Sequence, residues 1–157
     1  MARGSEEACK KGRPLTAAPE CEQAALEVLE TMFFEIPSEV PEVKKSPPRA
    51  AVAARAVFGG DLSGCLVVAC EEWAARRLAA NFLGREDEGT VGEDEVRMVT
   101  CEMANMICGN ALSRIKPHGR FRIGTPQAEP VAEPQREWLT VPLESGEVAV
   151  SFRLLEG

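Results

Sequence analysis

The 157-residue sequence has a single histidine, no C-x-x-C pair, and no plainly apolar run longer than the six residues from Cys65 to Cys70. A zinc site wants closely spaced ligand pairs, so no metal site is expected in the chain. A bilayer-crossing helix needs about 20 apolar residues, so no membrane partner is expected. The first residues, Met1 to Leu15, carry charges throughout and lack the apolar core of a signal peptide, which points to the cytoplasm. Bases are also scarce: 18 Lys and Arg stand against 25 acids, for a net charge of −7. They are dispersed, the densest group being Lys10, Lys11 and Arg13. A phosphate backbone demands clustered cations, so nucleic acid is not an expected partner.

What is present suits one domain. The hydrophobic fraction of 45% is that of an ordinary globular protein. Residues 1–18 mix small and charged types without periodicity and read as a disordered tail, leaving 19–157 as a single domain. The six cysteines read as buried thiols in a reducing compartment.

Periodicity predicts a helix over 20–36, with Cys21, Ala25, Val28, Leu29, Met32 and Ile36 on one stripe. The four prolines of 37–49 predict a linker or extended loop. Strands follow over 51–58 and 62–70, turning at Gly59-Gly60-Asp61. The second is apolar on both alternating faces, as a strand covered on both sides would be. A helix over 71–83 stops at Gly84. An acidic loop over 85–91 leads to a long helix over 93–115, begun by Glu93, Asp94 and Glu95 and ended by Pro117. Strands over 121–124, 138–143 and 148–155 complete the chain, the last two joined at Glu144-Ser145-Gly146. Trp73 and Trp138 read as core or sheet aromatics, and His118 as a loop histidine.

The long helix is informative. Val96, Thr100, Ala104, Ile107, Ala111 and Ile115 fall on one side and would face a sheet. Met98, Glu102, Asn105, Gly109 and Ser113 form a line on the opposite side, with Met106 bordering it and expected to be exposed. Asn105 and Gly109 are poor helix formers placed mid-helix, Gly at a cost of about 1 kcal/mol relative to Ala. A carboxylate, a carboxamide and a missing side chain in sequence make a surface that another protein can approach closely.

The run from Cys101 to Ser113 contains Glu102-x-x-Asn105 followed by the pair Gly109-Asn110, and it resembles the signature helix of the CheX/CheC chemotaxis phosphatases. The segment from Leu26 to Phe33 resembles the first helix of CheX-like proteins. The resemblance covers about residues 20–156. It implies an α+β fold, with an antiparallel or mixed β-sheet packed against the long signature helix and two further helices. It implies hydrolysis of the aspartyl phosphate of a CheY-like response regulator. Glu102 would pair with the regulator's lysine, and Asn105 would position the attacking water. Met98, Met106, Gly109 and Ser113 would touch the partner. No cofactor would sit in this chain; magnesium would be held by the regulator. A homodimer through the sheet is also implied.

Overlaying the first helix on the signature helix matches Glu27 with Glu102, Glu30 with Asn105, and Phe34 with Gly109. A carboxylate replaces the amide and a ring fills the cleared position, so the first half reads as structural, with one active site per chain. Two other readings stay open: a non-catalytic module that docks on a receiver domain, or on a flagellar or signalling assembly as an adaptor, and a structural oligomer paired through 148–155 at a sheet edge.

Overall fold

The computed structural model describes residues 12–49, 51–129 and 136–155. In chain order it contains β1 (Arg13–Pro14), α1 (Pro19–Phe33), β2 (Glu42–Lys44), β3 (Ala51–Gly60), β4 (Ser63–Glu71), α2 (Glu72–Leu83), a 3₁₀ turn (Glu88–Thr90), α3 (Glu93–Ile115), β5 (Phe121–Ile123), β6 (Gln127–Glu129), β7 (Trp138–Leu143) and β8 (Gly146–Leu155). The strands make one sheet in the order β2-β7-β8-β4-β3-β5, with β1 against the end of β8 and β6 against β3. Every pairing is antiparallel. The fold is therefore α+β, as expected, with the antiparallel form of the sheet.

The apolar run of β4 lies at the centre, between β3 and β8. Leu66, Val68 and Cys70 join the main core beneath the helices. Cys65, Val67 and Ala69 join a second cluster with Ala53, Trp138 and Ala149 on the other face. Coverage on both sides explains why β4 lacks polar alternation. The β3–β4 pairing runs from Ala51↔Glu71 to Phe58↔Gly64. A Cβ at Gly64 would lie 2.1 Å from the Arg153 carbonyl oxygen, so only glycine lets β8 pair this closely.

The helices end as their sequences dictate. Gly84 caps α2 in the left-handed region, at φ 71°. Glu95 accepts the backbone N–H of Gly92 at 3.1 Å and a two-pronged pair from Arg85, at 2.7 and 2.5 Å. These bonds hold the Glu95 carboxyl below its ordinary value, the Arg85 hydrogen bonds first and the Gly92 N–H second. They also fasten the start of α3 to the end of α2.

Several expectations need correction. The first helix stops at Phe33, three residues early. The Asn81 amide donates to the Phe33 carbonyl at 2.8 Å, and the Glu35 N–H returns to the Leu29 carbonyl. Phe34 becomes the C-cap, left-handed at φ 58° and 71% exposed. Glycine is the usual residue there; a bulky side chain costs about 1–3 kcal/mol. The expected tail is structured from Gly12 onward. Arg13 pairs with Leu154, and the Thr16 hydroxyl accepts the Phe152 N–H at 2.9 Å. Residues 1–11 of that tail lie outside the described residues. Within the expected loop 37–49, Glu42–Lys44 pairs with β7. The strand expected over 148–155 is no edge, since β8 is paired by β4 on one side and by β7 and β1 on the other. Trp138 is buried, but Trp73 is 60% exposed. Cys65, expected as a thiol, is disulfide-bonded.

Cys21, Cys70 and Cys108 are buried thiols, and burial pushes each up to about 12. In the unfolded chain they ionise near pH 9. The stability they contribute is thus complete below pH 9 and declines as pH rises toward 12. All three should resist a thiol reagent at pH 8 until the protein unfolds, and the urea midpoint should fall between pH 8 and pH 10. Prompt labelling of Cys70 in the folded protein would contradict this burial.

Candidate functional site

α3 packs across β3 and β4, with α1 and α2 alongside. Val96, Thr100, Ala104, Ile107 and Ala111 are buried, as the wheel predicts, and Ile115 is partly buried. Val99, Met103, Cys108 and Leu112 are buried too, because the flanking helices cover more of α3 than the sheet alone would. What remains open is the predicted line. Met98, Glu102 and Ser113 are exposed, and Asn105 and Gly109 are half-buried. Met106, expected to be exposed, is half-buried and packs against the core.

The polar groups on this helix divide sharply. Thr100 bonds the Val96 carbonyl, Arg97 bonds Asp94, and Arg114 bonds Asn110. Glu102 and Asn105, by contrast, have no hydrogen bond or ion pair among the described residues. Three positions apart, they are neighbours on the helix surface, about 5–6 Å between Cβ atoms. A carboxylate and a carboxamide are therefore displayed together with their full bonding capacity free: acceptor only for Glu102, donor and acceptor for Asn105.

Gly109 lies one turn further on. A Cβ there would meet only Ile123 Cδ1, at 3.7 Å, which is ordinary contact. Internal packing thus does not require glycine at this position, although helix propensity disfavours it. Asn105, Met106, Gly109 and Ser113 line one side of an open depression of about 660 Å³, which Val28, Thr31 and Met32 of α1 close on the other. So open a depression suits a protein surface better than an enclosed small molecule. The described residues contain no group of three or more His, Cys, Asp or Glu placed to hold a metal ion, and none of their helices is long and apolar enough to cross a membrane.

The first helix carries a matching glutamate with the opposite fate. Glu27 accepts from Asn110 at 2.9 Å and from Arg114 at short range, while Arg114 also reaches Gln23 at 3.3 Å. Asn110 and Arg114 were not singled out as a bridge between helices. The sign was the i,i+4 spacing of an amide and a cation beside the first helix's acids, which acquires meaning only once the two helices are known to be adjacent. Phe34 does not occupy the place of Gly109 that the overlay gave it, because the helix has already ended. The His118 side chain lies exposed beyond α3.

The Asn110 hydrogen bond, with Arg114 second, holds the Glu27 carboxyl below its ordinary range. Its contribution to stability is present above that range and is lost as pH falls through the lowered value. A carboxyl NMR titration should place Glu27 below the usual glutamate value of about 4.3, and Asn110→Ala should raise it. An unshifted Glu27 would mean that the bridge between the helices does not form.

Comparison with known proteins fits this geometry. No curated protein matches the chain. Chemotaxis protein CheX from Desulfovibrio desulfuricans shares the fold at 23% identity, with a TM-score of 0.65 over 87% of this chain and 97% of the other. CheX from Vibrio vulnificus does so at 19% identity and TM-score 0.67, over 87% and 97%. The CheX of a CheX–CheY–BeF₃–Mg²⁺ complex from Borrelia burgdorferi aligns at 19% identity and TM-score 0.64, over 87% and 96%. The family model described as chemotaxis phosphatase CheX matches residues 52–136, more than half of the 157, and spans α3 with Glu102 and Asn105. By that match the chain belongs to the CheX chemotaxis phosphatase family.

Proposed function

We propose that this protein hydrolyses the aspartyl phosphate of a CheY-like response regulator, with Asn105 positioning the attacking water and Glu102 pairing with a lysine of the regulator. The observation that carries the reading is the display of two unpartnered polar groups, one turn apart, on a helix whose other polar groups are mostly paired. Family membership supports it, as does the complex of the Borrelia burgdorferi relative with CheY.

The chemistry asks little of the chain. Water attacks phosphorus while the bond to the aspartyl oxygen breaks, giving inorganic phosphate and a carboxylate. A carboxylate leaves without a proton, so no general acid is needed. What remains is to hold water in line. A carboxamide can accept from that water and donate to a phosphoryl oxygen, and it brings no negative charge to the phosphoryl group. Glu102 supplies the charge that fixes the partner's orientation. Met98, Met106, Gly109 and Ser113 form the surface that receives it. Magnesium belongs to the regulator in this reading.

Phosphate release from a phosphorylated regulator tests the proposal. Asn105→Ala should slow the accelerated release by about 10²–10³-fold while leaving binding in place. Glu102→Ala should act mainly on KM, raising it about tenfold, as the loss of an interfacial ion pair does. Wild-type binding without acceleration would overturn hydrolysis in favour of a docking module. Gly109→Ala should raise the melting temperature, since it gains about 1 kcal/mol of helix propensity, yet lower kcat/KM by obstructing close approach. Full activity in that variant would remove the docking role of the cleared position.

A further inference from the structure

Phe34 combines two unfavourable features. Its backbone is left-handed at φ 58°, where glycine is the usual residue, and its ring is 71% exposed. Its neighbour Phe33 is fully buried and stacks on Phe82, so the local apolar need is already met. Nothing in the packing of the described residues rewards a ring at position 34.

Its place in the fold does. α1 and α3 run antiparallel. Gln23 meets Arg114, Glu27 meets Asn110, and Thr31 and Met32 share a depression with Asn105 and Met106. Each step along α1 is matched by an equal step back along α3. Continuing that register brings Phe34, at the end of α1, level with Glu102 and Met103. Met32, 41% exposed, and Met98, 48% exposed, add apolar surface to the same end of the helix pair.

This inference rests on the reading of Glu102 and Asn105 as the phosphatase pair. A receiver domain that reaches those groups covers about 800 Å² of each partner, a patch roughly 30 Å across. Packed helices lie about 8–10 Å apart. The end of α1 therefore falls beneath any receiver seated on the Glu102–Asn105 line. We infer that Phe34 is an aromatic anchor for the phosphorylated response regulator, held out by the left-handed cap of α1. Exposed aromatics that become buried on binding are the usual centres of interface affinity.

The test uses a CheY-like receiver domain carrying beryllofluoride in place of phosphate, so that binding is read without turnover. Phe34→Gly suits the left-handed cap and should melt at or above the wild-type temperature. It should weaken receiver binding by about tenfold or more. In phosphate-release assays KM should rise by a similar factor while kcat stays within about threefold, the pattern of lost uniform binding. Phe34→Asn, which also tolerates the cap, should behave like Phe34→Gly, and Phe34→Tyr should restore affinity. Unchanged receiver affinity in both Phe34→Gly and Phe34→Asn, or a loss of kcat with KM unmoved, would overturn the anchor. The underlying reading fails differently: wild type would not accelerate release, or Asn105→Ala would release phosphate as fast as wild type.

Discussion

The arrangement depends on one constraint: α3 must cover the centre of the sheet and still leave one line uncovered. β4 is apolar on both faces and sits between β3 and β8, so its helix-side residues require a lid. A helix of 23 residues provides it, buried along Val96, Thr100, Ala104, Ile107 and Ala111. Burial over so wide an arc holds the helix in rotation. The azimuth of Glu102 and Asn105 is then set by the packed core residues of α3, and the two side chains need no bonds of their own to be held outward.

Electrostatics sharpens the same result. The acids at the start of α3 suit the helix dipole, and the Arg85–Glu95 pair fastens that end to α2. Near the other end, Asn110 and Arg114 fasten α3 to α1 through Glu27. Between these two fastenings lie Glu102 and Asn105, untied. The two glutamates that the sequence overlay sets against each other, Glu27 and Glu102, have different surroundings. Glu27 holds the helices together through Asn110 and Arg114, and Glu102 is left without a hydrogen bond or ion pair among the described residues.

Much of this was legible in the sequence because it was local. The apolar faces of α3 and β4, the Gly84 stop and the β3–β4 turn follow from periodicity and turn chemistry within a few residues. The outward line of α3 followed from the same wheel. What failed was set by distant parts of the chain. The early end of α1 depends on Asn81 taking the Phe33 carbonyl, a partner 48 residues away. The order of 12–18 depends on β8, and the strand at Glu42–Lys44 on β7. The interior position of β8 depends on neighbours from three regions of the sequence, which an alternating pattern alone does not name. The roles of Asn110 and Arg114 needed the α1–α3 pairing before their spacing meant anything.

The vacancy beside Ile123 at Gly109 bears on how such a protein should be engineered. Internal forces favour filling it, since the added methyl finds ordinary room and the helix gains order. Under the proposed docking, heat tolerance and close approach by a partner pull in opposite directions at this one backbone position. A screen that rewards thermal endurance alone would select against the clearance that the proposed docking of a receiver domain uses.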